Sequence, residues 1–365
     1  MIERSDQPPG DGDLSPPTTP ALTRVAIVGT GLIGTSVGLA LRAAGVDVLL
    51  RDEDPRNLEL AAARGAGAVW SAGERPPQHV VVATPASAVG SSMDALRWLP
   101  VTCTFSDVAS AKTRPVVDVE ARSWLTGRFC GGHPVAGRER SGPAAARADL
   151  FVGRPWALTP LPGGARPLAH AAEVAFRCGA VVLRRTTAEH DSAMATLSHV
   201  PQLVASALAA VADGADLDLS GGGFIDMTRL AASDPGLWRH IVGDNAEPVR
   251  AALRRLTEQL EALLAEEDLG AAAEQLVARG RQVRARMRVR AGRPDLTAIQ
   301  VSVPDRPGAL AAVFAVSAGT NIEDVEIEHG AVGTPGQLTL YVSVSHAPRL
   351  EADLTADGWT VAIVE

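Results

Sequence analysis

The stretch "RVAIVGTGLIGTSVGLALRAAG", residues 24–45, passes from a β-branched apolar run through a glycine-rich turn into an Ala/Leu-rich helical pattern. In the order strand, turn, helix, each glycine has its own task. Gly29 permits the tight turn, Gly31 lets the backbone approach a pyrophosphate, and Gly34 allows the helix to pack closely on the strand. The helix start presents oriented N–H groups to phosphates, so Gly29, Thr30, Gly31, Leu32, Ile33 and Gly34 are the expected dinucleotide cradle. Asp52 closes the next β run, "DVLLRD". A carboxylate at that distance accepts from ribose hydroxyls and repels a 2′-phosphate, which favours NAD over NADP despite the neighbouring Arg51 and Arg56. Thr84, at the end of the run "HVVVATP", is expected to border the same cofactor.

Similar β-branched runs alternate with helical stretches as far as about Arg185, the pattern of a doubly wound α/β domain with a parallel sheet. From about Thr186 to Gly292 apolar residues recur at three- and four-residue spacing with no convincing strand, which predicts an all-helical domain. From Leu296 onward the order reads strand, helix, strand, strand, helix, strand, an α+β module of ferredoxin-like layout. The expected divisions are a disordered, Pro/Asp/Ser-rich tail over 1–22, a Rossmann-type domain over 23–186, a helical dimerisation and substrate domain over 187–292, and the α+β module over 293–365. A length of 365 residues suits two or three such cores.

The formal net charge of −8 and a pI near 5.6 weigh against nucleic acid or an anionic membrane as partner. The arginines from Arg279 to Arg293 have no interleaved aromatics and read as a solvated helix face. The uncharged run 192–212 is long enough to span a bilayer, yet it contains His, Pro and Gln and has no basic flanks. It reads as a buried helix or a subunit interface. Cys103, Cys130 and Cys178 are too few and too scattered for a disulfide framework or a zinc set, which fits a reducing cytoplasm and no structural metal. The tail has no apolar core of a signal peptide.

Lys112, in "FSDVASAK", is the single lysine of the chain. In a protein that otherwise uses arginine, it suggests a place for a compact ammonium, with Ser110 offering a hydroxyl beside it. His133, in "FCGGHPVAGRERSG", admits three readings: metal ligand, buried structural imidazole, or acid/base catalyst. The first fails for want of partner ligands. Gly131 and Gly132 would leave room for a ligand next to an imidazole suited to removing a hydroxyl proton as hydride leaves the same carbon.

Several blocks together carry a resemblance. "DVASAK", "GGHPVAGRERSGPAAARADLFVGRPWALTP", "SHVPQ" and "GGGFIDMTRLAASDPGLW" occur in the order found in the prephenate/arogenate dehydrogenase family, over roughly Arg24 to Leu263. The resemblance implies NAD-dependent oxidative decarboxylation of a cyclohexadienol by a homodimer. It implies that His133 takes the hydrogen bond or proton of the ring hydroxyl, that Ser110 orients that hydroxyl, and that Arg229 holds a substrate carboxylate. It places His190, His199 and Trp238 near the substrate, where Lys112 is expected on its own account to bind. Glu139 and Gln202 are expected at the substrate as well: Gln202 stands where some prephenate-using members have a histidine, and Glu139 is flanked by Arg138 and Arg140, departures that bear on the choice between a keto acid and an amino acid. Prephenate is the expected substrate, with arogenate as the alternative. A catalytically silent nucleotide-binding regulator is disfavoured by Ser110, His133 and Arg229 occurring together. The C-terminal "PDRPGALAAVFAVSAGTNIEDVEIEHG" is similar to ACT domains, which implies an aromatic amino-acid effector near Asp305, Gly308, Leu310, Asn321 and Ile322.

Overall fold

The computed structural model describes residues 21–71, 73–137, 141–290, 296–328 and 335–364. These form two compact units, which divide between Gln259 and Leu260. The division falls well before the expected linker. It splits the helical segment, and the physical reason is visible in the first unit, where the helices that follow residue 186 are bonded to the sheet domain by buried side chains.

The first unit is built on an eight-stranded sheet. Its strands are β1 (Arg24–Val28), β2 (Asp47–Arg51), β3 (Ala68–Val69), β4 (His79–Val82), β5 (Thr104–Asp107), β6 (Phe129–Pro134), β7 (Pro155–Pro160) and β8 (Val181–Arg184). They lie in the order β3-β2-β1-β4-β5-β6-β7-β8. β1 to β6 pair in parallel, as expected. β7 departs from this: it runs antiparallel to β6, with His133 opposite Ala157, and β8 follows it in parallel. Between the strands lie α1 (Leu32–Ala43), α2 (Pro55–Ala63), α3 (Val89–Asp94), α4 (Thr113–Glu120) and α5 (Ala165–Arg177). Apolar clusters cover both faces of the sheet, one with Val25, Ile27 and Leu41, the other with Val80, Phe105 and Phe129. Strands buried on both faces explain the continuous apolar runs in the sequence. Leu22 is buried in the first cluster, and its N–H donates to Glu173 Oε1 at 2.9 Å, so this residue belongs to the sheet domain's core.

Chain order reverses between β1 and β4, the strands that flank the crevice where open α/β sheets bind ligands. The glycine turn, Thr84, the 107–112 segment and His133 all follow or end parallel strands on this carboxyl edge.

Next come α6 (Thr187–Met194), a π-helical turn over Ala195–His199, and α7 (Val200–Val211), which together make one continuous helix. A capping box from Thr186 and Glu189 starts it. Among the described residues it is the one helix long and apolar enough to cross a membrane, and only 28% of its most apolar window is buried. An interior helix is therefore not what the chain alone provides; Leu197 and Val211 face outward. α8 (Gly222–Thr228), a 3₁₀ turn over Arg229–Ala232, α9 (Pro235–Asp244) and α10 (Ala246–Ala265) follow, and the unit boundary falls within α10.

In the second unit, α11 (Leu269–Arg290) precedes a four-stranded antiparallel sheet of β9 (Leu296–Val303), β10 (Ile322–Glu328), β11 (Gly336–Ser343) and β12 (Thr360–Val364), with α12 (Ala309–Val316) and α13 (Ala347–Ala356) between strands. The order β10-β11-β9-β12 is the ferredoxin-like arrangement expected. Ile299, Val301, Leu338, Leu340, Val313 and Leu350 form its core. Arg279, Arg281 and Arg284 are exposed on α11.

Candidate active site

The glycine turn has three different geometries for its three glycines. Gly29 adopts φ +97°, and a Cβ there would lie 2.5 Å from the carbonyl oxygen of Ala83. Gly34 has the helix against the turn: a Cβ would fall 1.9 Å from Gly29 O. Around Gly31, by contrast, nothing lies within 4 Å of an added Cβ, so this backbone is open to an approaching group. Gly31 is also the N-cap of α1, with no side chain capping the first N–H groups and no acidic residue in the first turn. The partial positive charge of the helix start is thus free for an anion. Asp52 accepts through Oδ2 from both the N–H and the hydroxyl of Thr30, the latter at 2.8 Å, and through Oδ1 from Asp54 N–H at 2.9 Å. The acid is aimed back at the turn before any ligand arrives. Thr84 is half-buried after β4, where its hydroxyl accepts from Ser92 at 3.4 Å. Open backbone at Gly31, an uncapped helix start and a fixed carboxylate fit a dinucleotide.

Across the crevice, His133 is the penultimate residue of β6. Its Nδ1 lies 2.9 Å from His190 Nε2, and His190 Nδ1 lies 2.8 Å from Asp191 Oδ1. Asp191 also accepts from the N–H groups of Lys112 and Thr113, each at 2.8 Å, and from the Thr113 hydroxyl at 2.6 Å. Burial alone would raise the Asp191 carboxyl, but these hydrogen bonds from His190, Thr113 and Lys112 outweigh it and hold it below its usual value. Burial first, then the neighbouring His190 and the Lys112 ammonium, push His133 well below the ordinary histidine value, so its ring is neutral at neutral pH. His133 Nε2 makes no hydrogen bond to another described residue.

His199 stands at the end of the π turn. Nine residues at 3.6 per turn are about two and a half turns, which would hold His190 and His199 on opposite sides of a straight helix. The π turn under-rotates the chain and brings them toward one face, a use of this turn common at functional sites. Asn245 Nδ2 donates to the carbonyl oxygen of Asp191 at 2.9 Å and lies 3.1 Å from His199 Nδ1, while Trp238 meets His199 edge to face at a centroid distance of 6.1 Å. Burial lowers His199 to about 4. Asn245 carries no sequence signal and was not among the expected residues.

Four expectations need correction. Lys112 was expected to hold a ligand. Its side chain is fully buried, and the ammonium donates to Asp107 and to Gly132 O, the latter at 2.5 Å, which binds β5 to β6 beneath the site. Gly131 and Gly132 were expected to clear space for a ligand; a Cβ would instead strike Thr159 Oγ1 at 2.2 Å and Asp107 O at 2.6 Å, so close strand packing requires them. Gln202 was expected to face substrate. It is buried, its amide nitrogen donating to Leu230 O at 2.7 Å and its oxygen accepting from Ser233 at 3.2 Å, which braces the turn that carries Arg229. His190 has both ring nitrogens engaged, by His133 and Asp191, and so is a link in the network and does not face a ligand.

Ser110 is half-buried at the carboxyl edge, and Arg229 is exposed on its 3₁₀ turn. Arg138, Glu139 and Arg140 lie outside the described residues. In the second unit Gly308 is the left-handed N-cap of α12 at φ +85°, and Asp305 is exposed beside it. Leu310 and Ile322 pack against that unit's core, and Asn321 donates to Glu323 at 2.6 Å.

Comparison with known proteins places these features in context. A model of the prephenate dehydrogenase nucleotide-binding domain matches residues 37–184, and one of the prephenate dehydrogenase dimerization domain matches residues 186–278. The chain is similar to the probable prephenate dehydrogenase NovF of Streptomyces niveus, 35% identical over 358 residues, covering 91% of this chain and 98% of that one. Among solved structures it is similar to prephenate dehydrogenase from Aquifex aeolicus in complex with hydroxyphenyl propionate and NAD+, at 28% identity and a TM-score of 0.65 over 73% of this chain and 100% of that one. It is also similar to Synechocystis arogenate dehydrogenase, at 27% identity and a TM-score of 0.63 over 72% of this chain and 99% of that one.

Proposed function

The chain belongs to the prephenate dehydrogenase family, and from that premise we propose that it is a cytoplasmic, homodimeric enzyme that oxidises and decarboxylates prephenate to 4-hydroxyphenylpyruvate for tyrosine synthesis. It is an NAD-dependent oxidoreductase. The observation that carries the reading is a neutral His133 whose Nε2 is left for a ligand on the same sheet edge as the open glycine turn.

The N–H groups of residues 29–34 bind the pyrophosphate, Asp52 accepts from the ribose, and Thr84 borders the cofactor. Bound NAD serves as the hydride acceptor. His133 Nε2 accepts the hydrogen bond of the substrate's ring hydroxyl and holds its proton as the carbon beneath becomes a carbonyl; Ser110 orients the same oxygen. Loss of carbon dioxide sends an electron pair into the ring, and the proton returns from His133 to what is now a phenol oxygen. The proton is lent and recovered, so no net proton is released. Arg229 pairs with a substrate carboxylate through its planar fork, and Trp238 lines the pocket. His199 presents Nε2–H to the substrate. The outward apolar residues Leu197, Val211, Ile225 and Met227 support a subunit interface. The unpaired cysteines support a reducing compartment.

In the second unit the loop at Asp305, Gly308 and Leu310, with Asn321 and Ile322, is the proposed site for an aromatic amino acid. Steady-state formation of reduced nicotinamide, measured side by side on prephenate and arogenate with and without tyrosine, tests the whole reading. Turnover on prephenate exceeding that on arogenate is expected; activity on arogenate alone overturns the substrate assignment, and kinetics indifferent to tyrosine remove tyrosine as effector.

A further inference from the structure

Asp191 is where the polar network of the site converges. A carboxylate only accepts, so His190 must place its proton on Nδ1 to meet Asp191 Oδ1 at 2.8 Å. A ring that carries this one proton has a lone pair at Nε2. His133 Nδ1, 2.9 Å away, must supply the proton of that contact, and the lone pair of His133 is left on Nε2.

A second line of the same logic leaves Asp191 by its backbone. The carbonyl oxygen of Asp191 can only accept, so the Asn245 atom 2.9 Å from it is the amide nitrogen. The other hydrogen of that nitrogen points to His199 Nδ1 at 3.1 Å, which must therefore be unprotonated, with the proton of the neutral ring on Nε2. Asn245 Oδ1 is buried without a partner, and the opposite amide orientation would set it against a carbonyl. The Asp191 carboxylate itself is held by Lys112 N–H, Thr113 N–H and the Thr113 hydroxyl at the start of α4, so the sheet domain fixes the hub in place.

We infer that Asp191 is a positioning residue that sets His133 and His199 in opposite tautomers, one offering a bare Nε2 to a hydroxyl and the other a Nε2–H to an oxygen of the substrate. The inference rests on the reading of His133 as the group that faces the ring hydroxyl. It adds the source of the direction in which each ring works. A base that takes a hydroxyl proton is useless with its own proton on the facing nitrogen, and a donor to a keto or carboxylate oxygen is useless without one. One residue supplies both conditions, through its side chain for His133 and through its main chain for His199.

Long-range ¹H–¹⁵N correlation on the full chain labelled with ¹⁵N-histidine tests this without substrate, each ring being identified by the loss of its signals in His133→Asn or His199→Asn. The expected result at neutral pH is a proton on Nδ1 of His133 and on Nε2 of His199. In Asp191→Asn the His133 ring should move to Nε2–H or to a mixture of tautomers. Turnover should fall roughly 10²- to 10⁴-fold with NAD affinity within about threefold of the parent. A proton on His133 Nε2 in the parent, which an imidazolium at His190 would produce, overturns the inference, as does an Asp191→Asn protein with tautomer and turnover unchanged. Should Asp191→Asn fail to fold, Asn245→Leu reads the other branch: His199 loses its single tautomer, His133 retains its own, and KM for prephenate rises roughly 10-fold. A His199 ring unaffected by that change overturns the branch. Because the spectra are taken without substrate, the expected tautomers in a protein inactive on prephenate would sink the functional reading alone, and the reverse tautomers in an active protein would sink the inference alone.

Discussion

Two histidine networks occupy opposite edges of the same sheet. At the amino edge, His79 at the start of β4 bonds through Nδ1 to Thr104 at 2.7 Å and through Nε2 to Ser106 at 2.9 Å, while Thr104 also meets His170 Nδ1 at 2.7 Å. At the carboxyl edge, His133, His190 and Asp191 form a chain of similar length and burial. The difference lies in the anchor. A hydroxyl donates or accepts with equal ease, so the Thr104 network has two self-consistent proton arrangements and no preferred direction. A carboxylate accepts only, and its network has one. Burial and hydrogen bonding make a histidine structural; an acceptor-only partner at the far end gives it a direction in which to act.

The strongest way to break that contrast is to remove the terminal ring of the directed network. His133→Asn is expected to lower turnover on prephenate roughly 10²- to 10⁴-fold, with calorimetric NAD affinity within about threefold. Turnover within a factor of three of the parent would take His133 out of the chemistry.

Acid treats the two networks alike. Burial, with the neighbouring His170, pushes His79 well below the ordinary histidine value, burial with His190 does the same to His133, and burial lowers His199 to about 4. These are depressed values. Above about pH 6.5 the rings are neutral in both folded and unfolded chains, and stability is at its full value. As pH falls below that point the unfolded chain binds protons that the native rings refuse. Each of these histidines then costs on the order of 1 kcal/mol per pH unit until its folded value is reached, about 4 for His199. Urea midpoints taken from pH 7 down to about 4.5 should decline steadily; a flat profile would mean that burial does not hold these rings neutral. The smallest effect sharpens the comparison most. Thr104→Val leaves two imidazole nitrogens without their shared hydroxyl and should cost about 1–3 kcal/mol in urea unfolding, while kcat stays within about twofold. A large fall in kcat would show that the amino-edge network also reaches the chemistry.

The sequence announces what depends on local backbone and hides what depends on meeting. Gly29, Gly31, Gly34 and Asp52 are legible because a turn, an open approach, a close contact and a strand end are properties of neighbours along the chain. His133 is legible through its motif. Lys112 was misread because its rarity says nothing of its partner: Asp107, five residues earlier, and Gly132 O on the next strand consume the ammonium. The glycines at 131 and 132 look like cleared space until β7 is seen to run antiparallel beside them and to bring Thr159 within reach of a side chain. Gln202 draws attention by its place after "SHVP", but the turn it braces lies 28 positions away. Asp191 sits beside His190 in plain view. Nothing in the spacing reveals that it also receives the start of α4 and, through Asn245, governs His199.

The π turn at Ala195–His199 has a consequence for how this helix can change. It is an extra residue stored inside a helix, with α6 and α7 holding their places on either side. A length difference of one residue between relatives can therefore sit in the middle of this element and leave every loop untouched. Regularising residues 195–199 to α-helix at unchanged length is, by contrast, the change that separates the two histidines by rotation alone, with the chemistry of both rings intact. In this part of the chain, counting residues matters as much as naming them.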